Sequence, residues 1–290
     1  MKNSNELCVV IVSYYPGESM YHLVKELMRQ NCEVVIVDNG SSGPSVDVLQ
    51  QCEDGGASII ELKTNLGIGY ALNLGCRFWL TRGRPWILTF DQDSKIGHNF
   101  IESINSAIDD NSIHPEVAMF APVIEDYSTK RSIQSVNETI GVAITSGSCI
   151  RSRIFKEIGY FDDFLFIDYV DFDFCIRLRK KGYTIKIVKQ AQMIHSIGRM
   201  QYYKIPRVNF GFTTTNHSAV RRYYKHRNFI FMIRKYSTFT PIWLAKQGLS
   251  LIIEPLKIII AEDDKVDKLK MIYLGWRDGI IGRGGKYYAG

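Results

Sequence analysis

Two aspartates one residue apart close an apolar run in Trp86-Ile-Leu-Thr-Phe-Asp91-Gln-Asp93-Ser94. A run of this length, rich in Ile, Leu and aromatic residues, is expected as a buried strand of a parallel sheet. The carboxyl ends of such strands are where open α/β sheets place ligands. Carboxylates at i and i+2 are hard oxygen donors, and with phosphate oxygens completing the shell they suit a divalent cation such as Mg2+. A D-x-D pattern alone recurs in many acidic loops, so its weight comes from its neighbours. A second acidic group stands at Asp168, Asp171 and Asp173. The last two fall at the expected start of a helix carrying Phe174, Ile176 and Leu178, with basic residues in its last turn and Gly182 beyond. That distribution suits the helix dipole and a capping role. A carboxylate there serves equally as a general base toward an alcohol, if it projects into the same cleft as the D-x-D.

The elements that must position these acids are legible as periodicity. Cys8-Val-Val-Ile-Val-Ser13-Tyr14 reads as a strand closed by a polar turn, and Met20 to Met28 as a helix. Glu33-Val-Val-Ile-Val-Asp38 reads as a second strand, completing a βαβ unit. Asp38 occupies a position from which a carboxylate reaches a nucleotide's ribose or base, or else it initiates the Asn-Gly-Ser-Ser turn. Ala57 to Leu62 is strand-like. Asn65-Leu-Gly67-Ile-Gly69 then opens a helix to about Leu80, where free N–H groups favour anions and the glycines let backbone approach a ligand. There is no third glycine and no Gly-Lys-Ser/Thr, which excludes a dinucleotide fingerprint and a P-loop. Phe100 to Ile108 is expected as a helix, Val117 to Val123 as a strand, and 124–140 as a polar loop. Ser146-Gly147-Ser148 has small residues suited to close backbone approach, and Gly159 suits a helix C-cap.

The net charge of +6 conceals a segregation: residues 174–253 hold 16 Lys and Arg and no Asp or Glu. Such a stretch points to an anionic partner, be it phosphate groups, nucleic acid or an anionic membrane surface. The 290 residues, 46% hydrophobic, suffice for a large α/β core, and six scattered cysteines without a C-x-x-C pair are expected as buried reduced thiols. Reduced thiols point to the cytoplasm as the expected location, and no leader segment and no membrane span is expected. The stretch 241–261 is broken by Lys246, Glu254, Pro255 and Lys257, so it is expected as an amphipathic helix pair that attaches to the inner membrane leaflet or packs in a homo-oligomer. The tail from Gly282 is expected to be flexible.

Taken in order, VVIVSYYP, VVIVDNGSS, NLGIGYALNLG, LTFDQDS, SGSCIRSRIFKEIGYFDD, DYVDFDFCIRLRKKGY and HSIG resemble the inverting family 2 glycosyltransferases of GT-A fold. More narrowly they resemble the bacterial rhamnosyltransferases of O-antigen and surface polysaccharide synthesis. The resemblance covers roughly residues 7 to 235. It implies a Rossmann-like, mostly parallel sheet with flanking helices over 1–199, followed by a helical C-terminal region over 200–290. It also implies sugar transfer, expected as L-rhamnose from dTDP-β-L-rhamnose, to a hydroxyl of a lipid-linked saccharide acceptor with Mg2+ or Mn2+, and no nucleic acid partner. By the same resemblance Asp171 is the catalytic base, with Asp168 and Asp173 as rivals because Val170 stands where many relatives carry Glu. Asp93 and His195 are metal ligands, Ser13, Tyr14, Asp38, Asn65, Gly69 and Asp91 meet the donor, and Ser146, Gly147 and Asp168 meet the acceptor. Arg222 and Arg227, in a segment resembling R-Y-Y-x-x-R-N, bind phosphate or else sit in a surface helix over packed tyrosines. A sugar-phosphate nucleotidyltransferase and a basic nucleic-acid-binding protein are the alternative readings.

Overall fold

The computed structural model describes residues 7–112, 114–126, 132–134, 136–137, 141–195, 201–204 and 211–288. The chain divides into two compact units: Met1–Asp163 with Val170–His195, and Phe164–Tyr169 with Ser196–Gly290. The first unit therefore ends slightly before residue 199, and a six-residue piece in its middle belongs with the second. No sequence signal marks that excursion.

In chain order the first unit contains β1 (Leu7–Ser13), α1 (Glu18–Arg29), β2 (Glu33–Asp38), α2 (Ser45–Asp54), β3 (Ser58–Glu61), α3 (Ile68–Leu80), β4 (Trp86–Asp91), β5 (Lys95–Ile96) and α4 (Phe100–Asp110). It continues with β6 (Val117–Asp126), β7 (Ser132–Gln134), β8 (Val136–Asn137), β9 (Val142–Ala143), β10 (Ser148–Arg151), α5 (Ile154–Ile158), α6 (Val170–Lys180) and β11 (Thr184–His195). Among the described residues the main sheet runs β3-β2-β1-β4-β10-β6-β11-β5, with β7 paired to β6. β3, β2, β1 and β4 are mutually parallel, and so are β6 and β11. β10 is wedged antiparallel between the two groups.

β1 is buried along its whole length, which is why it reads as an unbroken apolar run and not as an alternation. Val9 and Ile11 join Leu23, Val24, Leu27, Leu88 and Phe90 in one core. Val10 faces α3 on the other side of the sheet, where a Cβ added at Gly75 would lie 2.3 Å from its Cγ1. Gly75→Ala is therefore an overpacking change, expected to cost about 1–3 kcal/mol in urea denaturation. An unchanged midpoint would show that α3 stands off the sheet.

Several elements differ from expectation. α2 lies in a stretch without helical periodicity because it buries only Leu49 and Cys52. β6 runs three residues past Val123 into the stretch expected as a loop, and β7 and β8 form within that stretch. The six cysteines are buried and free, and burial pushes the thiols of Cys32 and Cys175 up to about 12, so neither is a nucleophile at neutral pH.

The second unit contains β12 (Gln201–Lys204) paired with β13 (Gly211–Thr214), then α7 (Ala219–Tyr236), α8 (Pro241–Ala261) and α9 (Lys265–Ile281). α8 is one helix running through Pro255, not the expected pair. The tail is tied down: Gly285 N donates to Phe164 O at 2.7 Å and Tyr287 N to Tyr224 Oη at 2.7 Å.

Candidate active site

Strand register brings Ser13, Asp38 and Asp91 to one edge of the sheet, since Ser13 pairs with Asp38 and Val12 with Asp91. Asp38 is buried and accepts from Ser13 Oγ at 2.8 Å, Ser41 N at 2.7 Å and Ser41 Oγ at 2.6 Å. It thus builds the turn after β2. Asn39 Nδ2 donates to Asn65 Oδ1 at 3.1 Å, and Asn65 Oδ1 also accepts from Gly67 N at 3.0 Å, so the loops after β2 and β3 are laced together. Gly40 fits between them because its φ is +89° and a Cβ would lie 2.7 Å from Thr64 C. Gly69, at the start of α3, faces the backbone of Asp162 and Asp163.

At the end of β4, Asp91 is half-buried and Asp93 exposed. Between them, Gln92 accepts from Tyr14 N at 2.7 Å and donates to Tyr14 O at 3.1 Å, clamping the half-exposed Tyr14 loop to the acidic turn. The sequence signal for Gln92 is an amide flanked by two candidate site carboxylates. Below the turn, Ser146 is buried, its Oγ accepting from Asp91 N at 3.3 Å and bonding Ser94 Oγ at 2.6 Å. Gly147 N donates to Thr89 O at 2.7 Å, and its α-carbon is closed in by Met193 and Pro122. Ser146 and Gly147 thus brace β4 and the D-x-D turn from inside.

The same brace leads toward the second acidic group. Thr145 O accepts from Thr89 Oγ1 at 2.6 Å, and Ala143, two residues earlier in β9, accepts from Cys175 Sγ of α6 at 3.5 Å. One turn before Cys175 on that helix, Asp171 is half-buried and accepts from Phe172 N at 2.8 Å. Its rivals are committed elsewhere. Asp173 is fully buried against Arg177 at 2.8 Å, whose guanidinium also donates to Ile158 O and Tyr160 O. Asp168 belongs to the second unit and pairs with Arg221 at 3.2 Å. The backbone of His195 closes β11 opposite Asp126, and its side chain lies outside the described residues.

Arg222 and Arg227 occupy the interior of the second unit, which corrects the expectation that they bind donor phosphate. Arg222 is 1% exposed and donates to Glu262 Oε1 at 2.7 Å and to Glu254 Oε1. Arg227 donates to Leu165 O at 2.9 Å and Gly285 O at 2.6 Å. With Asn228 it holds Phe164–Tyr169, in which Phe166, Asp168 and Tyr169 have φ of +66°, +62° and +65°. Non-glycine residues in that region each cost about 1–3 kcal/mol and persist only where the surroundings impose them. Asn228 Nδ2 supplies part of the constraint by donating to Leu165 O, Ile167 O and Asp168 O at 2.8, 2.7 and 3.0 Å. Asn228→Ala strips those carbonyls of their partner and is expected to cost about 2–3 kcal/mol in urea denaturation; a loss below about 0.5 kcal/mol would show that the segment holds its own shape.

Residues 8–181 match the sequence model described as glycosyl transferase family 2. This chain belongs to that family. The glycosyltransferase is 32% identical over its whole length to the dTDP-rhamnosyl transferase RfbF of Shigella flexneri, covering 99% of this chain and 100% of that one. Its fold is that of S. aureus TarS 1-349 solved with UDP-GlcNAc, at TM-score 0.62 and 14% identity over 96% of this chain and 81% of that one. It is likewise that of the mannosyltransferase PcManGT of Pyrobaculum calidifontis solved with GDP-Man and Mn2+, at TM-score 0.59 and 11% identity over 97% and 86%. The match spans 46% of the longer TarS chain. Family membership removes the nucleotidyltransferase alternative.

Two histidines of this glycosyltransferase's second unit are held neutral. Burial lowers His217 to about 4 and lowers His226 as well. A base whose pKa is lower folded than unfolded binds fewer protons in the native state, so stability falls as pH drops from the ordinary value near 6.5 toward the folded one. The melting temperature is therefore expected to fall by several degrees between about pH 7 and pH 5, above the range in which the depressed carboxylates of Glu262 and Asp278 are protonated. A flat profile over that interval would contradict it.

Proposed function

We propose that this glycosyltransferase moves L-rhamnose, with inversion, from dTDP-β-L-rhamnose to a hydroxyl of a lipid-linked saccharide. The full-length similarity to the Shigella flexneri dTDP-rhamnosyl transferase supports the donor. The observation that carries the chemistry is the division of labour among the acids. Asp91 and Asp93 end a buried strand, Asp173 is locked to Arg177, and Asp171 opens a helix packed on the β9 segment that braces the D-x-D turn.

Among the described residues no three His, Cys, Asp or Glu side chains group into a protein-only metal cage. Two strand-end carboxylates fit Mg2+ or Mn2+ all the same, because such cations take one or two carboxylates and leave the remaining positions to phosphate oxygens and water. Asp93 would hold the ion with Asp91 in support. When bound, it supplies positive charge that offsets the developing charge on the leaving diphosphate.

The protein's own residues do the rest. The loops laced by Asn39 and Asn65 and the Tyr14 loop clamped by Gln92 form a pre-set rim for the nucleoside, so little ordering cost remains at binding. Asp171 accepts the acceptor's hydroxyl proton as that oxygen bonds to the anomeric carbon, and the bond from that carbon to the diphosphate oxygen breaks with its electron pair leaving on dTDP. Attack opposite the leaving group converts a β-linked donor into an α-rhamnoside. Incubation with dTDP-β-L-rhamnose and a saccharide acceptor is expected to release dTDP and give an α-anomer by NMR; release of pyrophosphate, or a β-product, would contradict the reading.

A further inference from the structure

The C-terminal unit carries an aliphatic face that its own fold leaves uncovered. α8 buries Trp243, Leu244, Leu251 and Ile258 on one side, yet Ile242, Leu249, Ile252 and Leu256 are 65%, 60%, 68% and 59% exposed. At 3.6 residues per turn these four share the opposite side of the helix. An exposed aliphatic face on a helix whose other side is already packed marks an interaction surface.

Charge selects what it meets. The sole acid of α8, Glu254, is buried against Arg222 and Lys225, so the exposed side presents no carboxylate. Lys246 stands exposed along one margin of the aliphatic stripe, and Lys257, about three turns on along the same margin, donates to Thr213 O at 3.3 Å. Residues 196–290 contain 17 basic and 6 acidic residues, a net +11, against −5 for the remainder of the chain. Two copies meeting through this face would bring like charges together. An anionic bilayer offers apolar depth and opposite charge at once, the combination to which interfacial helices respond. Among the described residues no helix is long and apolar enough to cross a membrane, and one side of α8 is committed to its own unit.

We propose that α8 docks in the plane of an anionic lipid bilayer, with Ile242, Leu249, Ile252 and Leu256 in the acyl boundary and Lys246 at the headgroups. This deepens the lipid-linked acceptor of the proposed function, yet it is read out without any transfer reaction.

The test is flotation of the full chain with vesicles of phosphatidylcholine alone or mixed with phosphatidylglycerol. Binding is expected to the mixed vesicles at least about tenfold above the neutral ones, and to weaken with salt. The double change Ile252→Asp with Leu256→Asp is expected to abolish it while leaving the circular dichroism spectrum and dTDP release with a soluble acceptor unchanged. Lys246→Glu, which leaves the aliphatic face intact, is expected to lower it several-fold. The proposal is overturned if the wild-type chain stays with the unbound fraction, or if the double variant floats equally well. It is also overturned if the double change converts a dimer to a monomer without any vesicle binding, which would assign the face to a second copy. Flotation without dTDP release from dTDP-β-L-rhamnose would instead count against the donor reading and leave the docking face standing.

Discussion

Asp171→Asn is expected to lower kcat by about 10²–10⁴ while leaving the KM for the donor nearly unchanged, the signature of a proton acceptor that acts in the transition state. The substitution keeps the size of the side chain and its hydrogen bond from Phe172 N, so the start of α6 is preserved. The comparison that makes it specific is Asp173→Asn. That change loosens a buried ion pair with Arg177, and with it the backbone at Ile158 and Tyr160, so it should show mainly as lost stability. If the two variants exchanged these behaviours, Asp173 would be the base and Asp171 the structural acid. Steady-state kinetics paired with thermal melts on both proteins decides between them.

The second large effect concerns the interior of the C-terminal unit. Glu262 accepts from Arg222 at 2.7 Å, from Lys268 at 3.0 Å and from Thr214, and both cations are nearly inaccessible. Removing one partner of a buried network leaves the others charged without compensation, so Glu262→Ala is expected to cost about 3–5 kcal/mol. For a chain of this size that corresponds to a fall in melting temperature of about 5–8 °C. Arg222→Met combined with Glu262→Leu removes both charges together and should recover part of the loss. A single variant as stable as the parent would mean that water already screens the cluster.

These networks also show why sequence and structure diverge where they do. β1, β2 and β4 were legible because a strand buried on both faces must be apolar throughout, and the D-x-D stood out against that background. Arg222 and Arg227 were not, because the groups that neutralise or hold them, Glu254, Glu262 and the carbonyls of Leu165 and Gly285, are 32 or more residues away. A charged helix with distant partners looks like a solvated one. Ser146 and Gly147 were legible as special but not in role, since close backbone approach to a ligand and to Met193 and Pro122 demands the same small residues. The left-handed backbone at Phe166, Asp168 and Tyr169 is hard to read from sequence, because only Asp168 is a residue type enriched in that region and the two aromatic residues reach it with help from α7.

The proposal that Asp93 and Asp171 serve one pocket is tested most directly by a crystal structure of the Asp171→Asn variant with dTDP-β-L-rhamnose and Mn2+. The account predicts manganese anomalous density against the Asp93 carboxylate, with the side chain at position 171 on the face of the anomeric carbon opposite the diphosphate. Manganese bound elsewhere, or position 171 turned to a different surface from the sugar, would contradict it.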